Sequence, residues 1–158
     1  MVDSDPNRAY LAGLKMLARR ELSEMQVRRR LRRSYAPDDI DVAVKRLRGE
    51  GAIDDGRTAR AIARTAVSTR GHGKRRVRMQ VDAAGIDRAI ASAAVDEVFN
   101  EIDMNALLQA AVTRRLRGRA GVADDREAAR LFRYLIGQGF DADRVAEALR
   151  QMRNARAG

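Results

Sequence analysis

His72 is the only histidine in this chain of 158 residues, and cysteine is absent. A disulfide framework, a thiolate zinc site and a cysteine nucleophile are therefore excluded. His72 sits between Gly71 and Gly73, beside Lys74, Arg75 and Arg76, with no second imidazole to complete a metal shell. Two carboxylate pairs, Asp54-Asp55 and Asp124-Asp125, have the residue types needed for acid–base or metal chemistry. Each pair also opens an apolar-periodic helical stretch. There a carboxylate accepts free N–H groups and faces the positive end of the helix dipole, so capping is the better reading. Gly71-His-Gly-Lys74 lacks the GxxxxGK[ST] spacing of a phosphate loop. The expectation is a protein that is not an enzyme, with no cofactor and no metal.

The remaining chemistry is that of arginine. The net charge is +10, and arginine supplies 29 of the 32 positive charges. Its planar fork holds a carboxylate or phosphate through two parallel hydrogen bonds. The charges come in runs: Arg28, Arg29, Arg30, Arg32 and Arg33; then Lys74, Arg75, Arg76 and Arg78; then Arg126, Arg130 and Arg133. One such run is accounted for by a solvated helix face. Recurrence at equivalent places is better explained by a basic ridge that meets an anionic partner. Arg29, Arg32, Arg33, Arg75, Arg76, Arg78, Arg130 and Arg133 are the residues expected to carry it. The partner is an acidic protein surface or, through phosphates, single- or double-stranded DNA. Three Tyr, three Phe and no Trp, none of them interleaved with the first two runs, weigh against the base-stacking platforms that single-strand binders use.

These runs lie on elements that repeat. Val27/Leu31, Val77/Val81 and Leu131/Leu135 are apolar pairs four apart, followed by Tyr35 and Ile40, by Ile86 and Ile90, and by Phe140 and Val145. Each pair is preceded and followed by a further helical stripe. The spacing predicts three helices per copy and nine in all, in units 1–53, 54–103 and 104–158. The first helix is expected to bury Leu11, Leu14, Leu17 and Ala18. Ser23-Glu-Met-Gln26 reads as a capping box for a second helix to about Arg33, and a third carries Ile40, Ala43, Val44 and Leu47. Ala59, Ile62, Ala63 and Ala66, then Val77 and Val81, then Ile90, Ala94, Val95, Val98, Phe99 and Ile102 mark the second unit. Leu108, Ala111 and Val112 open the third, Gly118–Asp125 is its long polar loop, and Val145, Ala148, Leu149 and Met152 line its last helix. Residues 154–158 are expected to fray. No stretch alternates with period two, so no sheet is expected. Net charges of about +4, +1 and +5 for the successive units direct attention to the two ends. The opening Met-Val-Asp-Ser-Asp-Pro is acidic, unlike a secretory leader, and no apolar run approaches the ~20 residues that span a bilayer. A cytoplasmic protein without membrane contact is expected.

Four segments carry a family resemblance. Arg20-Glu-Leu-Ser-Glu-Met-Gln26 through Leu31 resembles the R-x-[YH]-S-x-x-E-L-x-x-K-L opening of the RecX family. Ile53-Asp-Asp55 with Ala59 resembles its L-[ND]-D-x-x-[FY]-A junction, with Thr58 where an aromatic is usual. Arg70-Gly-His-Gly73 through Val81 to Gly85-Ile86 resembles R-x-x-x-G-x-x-x-I-x-x-x-L-x-x-x-G-I. Gln138-Gly-Phe140 with Val145 to Leu149 resembles R-G-F-x-x-x-x-I-x-x-x-[LI], with Gln138 in place of Arg. The resemblance runs from about residue 9 to 152. It implies an all-α protein of three tandem three-helix units stacked into an elongated, curved helical repeat. It implies binding in the groove of the RecA filament on single-stranded DNA and modulation, mainly inhibition, of ATPase, strand exchange and coprotease functions; the chain is expected to act as a monomer. The family offers no catalytic residues to carry over. A basic helical protein that binds DNA through its phosphates is the alternative.

Overall fold

Nine helices and no strand occur among the described residues of the computed structural model, which are 5–158. The first four residues of the acidic N-terminal stretch lie outside them. The helices are α1 (Pro6–Arg19), α2 (Glu24–Leu31), α3 (Pro37–Gly49), α4 (Asp55–Arg70), α5 (Lys74–Ala83), α6 (Arg88–Asn100), α7 (Met104–Leu116), α8 (Asp125–Gly137) and α9 (Ala142–Ala157).

Local chemistry sets their ends. Pro6 and Pro37 stand in the first turns of α1 and α3, where a missing N–H costs nothing. The Ser23 capping box forms in both directions: Gln26 N–H donates to Ser23 Oγ, and Ser23 N–H donates to Gln26 Oε1. Asp103, Asp124 and Asp141 cap α7, α8 and α9. The residues stopping α3, α5 and α8 include Gly51, Gly85 and Gly139, all with positive φ.

The chain folds as two compact bodies. The N-terminal body holds the stretch up to Ile62 together with Gln80–Ala94; the C-terminal body holds Ala63–Met79 and Val95–Gly158. In the first, Leu22, Val27, Leu31, Ile40, Val44, Leu47 and Ile53 form a core. In the second, Leu108, Val112, Leu116, Leu131, Leu135, Phe140 and Val145 do the same. Both are built from the apolar pairs four apart, as helical periodicity requires.

Three expectations need correction. α1 buries Ala9 and Gly13, while Leu11 is 52% and Leu14 38% exposed. The reason is close packing: a Cβ on Gly13 would stand 2.7 Å from Leu47 Cδ1, so the smallest residues of α1 face α3. Ile90 is likewise exposed, and Ile102 lies beyond the end of α6. At the C-terminus, α9 continues through Ala157 instead of fraying at 154, and the Arg156 guanidinium donates to the Val122 carbonyl.

Candidate partner-binding surface

The middle helices α2 and α5 are each fixed at their N-terminus by a turn further along the chain. In the N-terminal body, Ser23 Oγ donates to the Ala84 carbonyl at 2.5 Å, just after α5. Glu24 N–H donates to Asp55 Oδ1 (2.9 Å), and the buried Thr58 hydroxyl lies 3.3 Å from the Leu22 carbonyl. Arg57 Nε donates to Glu21 at 2.6 Å. Met25 covers Gly85, whose φ is +71°. The small, polar Thr58, where the motif has an aromatic, is thus a hydrogen-bonding element of this joint.

In the C-terminal body the corresponding joint is made of backbone. Gly73 N–H donates to the Gln138 carbonyl (2.8 Å) and Arg75 N–H to the Gly139 carbonyl (3.1 Å). The free N–H groups at the start of α5 are therefore met by carbonyls at the end of α8. A Cβ on Gly73 would come within 2.5 Å of the Gly139 carbonyl carbon, and Gly139 has φ +95°. Neither glycine has room for a side chain.

The carboxylate pairs serve the same scaffold. Asp54 accepts from Arg57 N–H and Asp55 from Glu24 N–H, so one pair caps two helices. Asp124 caps α8, and Asp125 pairs with Arg153. His72 is buried between α4 and α5. No cluster of three or more His, Asp or Glu able to hold a metal ion occurs among the described residues.

The arginines divide into those used internally and those turned outward. Arg28 pairs with Glu24 (2.9 Å) and Asp41 (2.5 Å), which bind it into the N-terminal body. Arg29, Arg32 and Arg33 are exposed and have no ion pair among the described residues. Arg32 and Arg33 stand just past the end of α2, not within it: Arg32 is its C-cap. The body also brings up a residue that linear reading left out. Burial, then the neighbouring charges of Arg20, Arg29 and Arg33, push the half-buried Arg30 guanidinium below its usual pKa. Arg20 follows α1, so only the packing of α1 beside α2 brings the four together. A cluster of like charges favours an anionic group from outside.

In the C-terminal body, Arg75 on α5 is exposed and unpaired among the described residues. Arg76 is half-buried and donates through Nη1 to the Gly137 carbonyl at 3.2 Å, so it belongs to the joint as much as to a surface. Arg78 is half-buried on the same helix. Arg130 and Arg133 are exposed on α8 and make no ion pair among the described residues. Arg46 lies 3.8 Å over the Tyr10 ring and Arg115 4.7 Å over that of Tyr134, so two of the three tyrosines have a ring face engaged internally.

Capped helices in threes, apolar pairs at a fixed spacing and exposed arginines on the middle helices define an all-helical tandem-repeat protein with a basic surface. Residues 9–47 match the family model described as RecX, first three-helix domain, and residues 54–95 match RecX, second three-helix domain. Regulatory protein RecX of Halorhodospira halophila is 36% identical over 139 residues, covering 87% of this chain and 83% of the relative. That of Chromohalobacter salexigens is 32% identical over 138 residues, covering 87% and 88%. The chain belongs to the RecX family of regulatory proteins. The fold agrees with two crystal structures. RecX from Lactobacillus salivarius superposes with a TM-score of 0.75 at 19% identity, over 93% of this chain and 96% of that one. A second structure of regulatory protein RecX gives 0.75 at 22% identity, over 92% and 71%. No helix among the described residues is long and apolar enough to cross a membrane.

Proposed function

We propose that this chain binds the RecA nucleoprotein filament and modulates, mainly inhibits, its ATPase, strand-exchange and coprotease activities. Membership of the RecX family supports the regulatory role. The observation that carries the binding mode is the exposure of Arg29, Arg32, Arg33, Arg75, Arg130 and Arg133 with no ion pair to any of them among the described residues. Acidic surface on the filament, or DNA phosphate within it, would supply the missing countercharge. In this reading the repeats 1–53, 54–103 and 104–158 present their middle helices to successive parts of the filament. Arg29, Arg32, Arg33, Arg75, Arg78, Arg130 and Arg133 make the contacts, and Arg76 divides its role between contact and joint. Holding neighbouring protomers together hinders the movements that couple ATP hydrolysis to filament growth and release.

Charge reversal tests this directly. Arg29→Glu with Arg33→Glu should raise the concentration needed for half-inhibition of the recombinase by about tenfold or more, because both residues are exposed and electrostatic complementarity is lost. The melting temperature should stay the same or rise as repulsion on Arg30 is relieved. Undiminished inhibition by the double variant would contradict the reading.

A further inference from the structure

The C-terminal body contains an open groove of about 820 Å³, whose apolar part lies beside Arg75 and Arg78 of the arginine surface. The buried Phe99 and Phe140 line it, together with Met79 and Met104. Met79 is 65% exposed, the most exposed large apolar side chain among the described residues. Thioether side chains are flexible and polarisable and adapt to varied apolar partners.

The rim is cationic. Lys74, Arg75, Arg78 and Arg144 line it, against the carboxylates of Asp96 and Asp141. Both carboxylates are already engaged. Asp96 lies 2.7 Å from Lys74 Nζ, and Asp141 caps α9 by accepting from the N–H groups of Asp143 and Arg144. Arg144 Nη1 donates to Asn105 Oδ1 (2.6 Å), which fixes its guanidinium at the edge.

We propose that this groove docks an acidic peptide segment carrying a bulky apolar side chain. The apolar group enters between Met79 and Met104, and the flanking carboxylates meet Arg75 and Arg144. An apolar floor under a cationic rim is complementary to such a segment. It is not complementary to single-stranded nucleic acid, because Phe99 and Phe140 are covered and offer no face on which a base can stack.

The test uses the full chain alone, without a recombinase, so it succeeds or fails independently of the regulatory role. The probe is a short peptide with Leu and Phe among Asp and Glu; the control has Ser for Leu and Phe at the same charge. With methyl-labelled methionine, the probe should shift the Met79 and Met104 signals and leave Met16 and Met25 in place. Met79→Glu, at an exposed position, should weaken probe binding about tenfold with helicity unchanged. Arg75→Glu should weaken it less. Equal binding of the control, or full binding by Met79→Glu, overturns the proposal. So does a shift of the same two methyls by a single-stranded oligonucleotide, or by simple concentration of the protein, which would make the occupant a second copy.

Discussion

At the N-terminal joint, Ser23 reaches Ala84 with its side chain, whereas at the C-terminal joint Gly73 reaches Gln138 with its backbone. Both connect the start of a middle helix to a turn closed by a positive-φ glycine, Gly85 or Gly139. What lies on that glycine differs: the Met25 side chain in one case and the Arg76 backbone in the other. Side chains move aside at little cost, while a backbone that is itself hydrogen-bonded does not. Equivalent glycines should therefore tolerate substitution very differently.

The largest effect is expected for Gly139→Ala and Gly73→Ala. Each puts a methyl into backbone on the facing turn, and at 139 the left-handed φ adds strain. A loss of about 3 kcal/mol or more is expected, seen as a melting temperature lower by roughly 10 °C. Ser23→Ala follows, at about 1–2 kcal/mol, because it removes an N-cap and leaves the Ala84 carbonyl without its donor. Urea denaturation monitored by helicity measures both. Gly85→Ala should cost only about 1–2 kcal/mol, from the strain of its φ and the Met25 Cβ 3.0 Å away, since the rest of the 58%-exposed Met25 side chain can swing aside. If Gly85→Ala were as damaging as Gly139→Ala, the distinction between the joints would be lost.

The smallest effect concerns acid. Glu127 accepts from Ala123 N–H (2.6 Å) and from Arg119, and these bonds hold its carboxyl below the usual 4.5. A carboxyl whose folded pKa is depressed gives stability that is present above 4.5 and is lost as pH falls through the folded value. Glu127→Gln should therefore flatten the acid-side fall of melting temperature with pH, by a small amount because the group is at the surface. An unchanged slope would show that this tie does not help hold the loop before α8.

The helices were readable because their signals are local: a capping box at Ser23, prolines at 6 and 37, glycines at 51, 85 and 139. The buried face of α1 was not, because the leucine spacing in Leu11-x-x-Leu14 outweighs small residues in any hydrophobic pattern, while close approach to α3 selects Ala9 and Gly13. The joints pair residues some sixty positions apart, Ser23 with Ala84 and Gly73 with Gln138, and no periodicity encodes that. A trace was present: Gly85 and Gly139 each follow an apolar pair by four residues. Of the candidate arginines, Arg29, Arg75, Arg130 and Arg133 are exposed, but helical phase alone does not say which arginines of a run point outward. The use of Arg76 in a joint, and the presence of Arg20 beside Arg30, depend on tertiary packing.

The most direct test of the regulatory reading is RecA ATPase on single-stranded DNA, titrated with this protein and repeated across salt concentration. Suppression is expected at well below one copy per recombinase protomer, persisting at salt where the protein's own binding to DNA is weak. Inhibition only at low salt, and only at concentrations that coat the DNA, would contradict it and make phosphate binding the function.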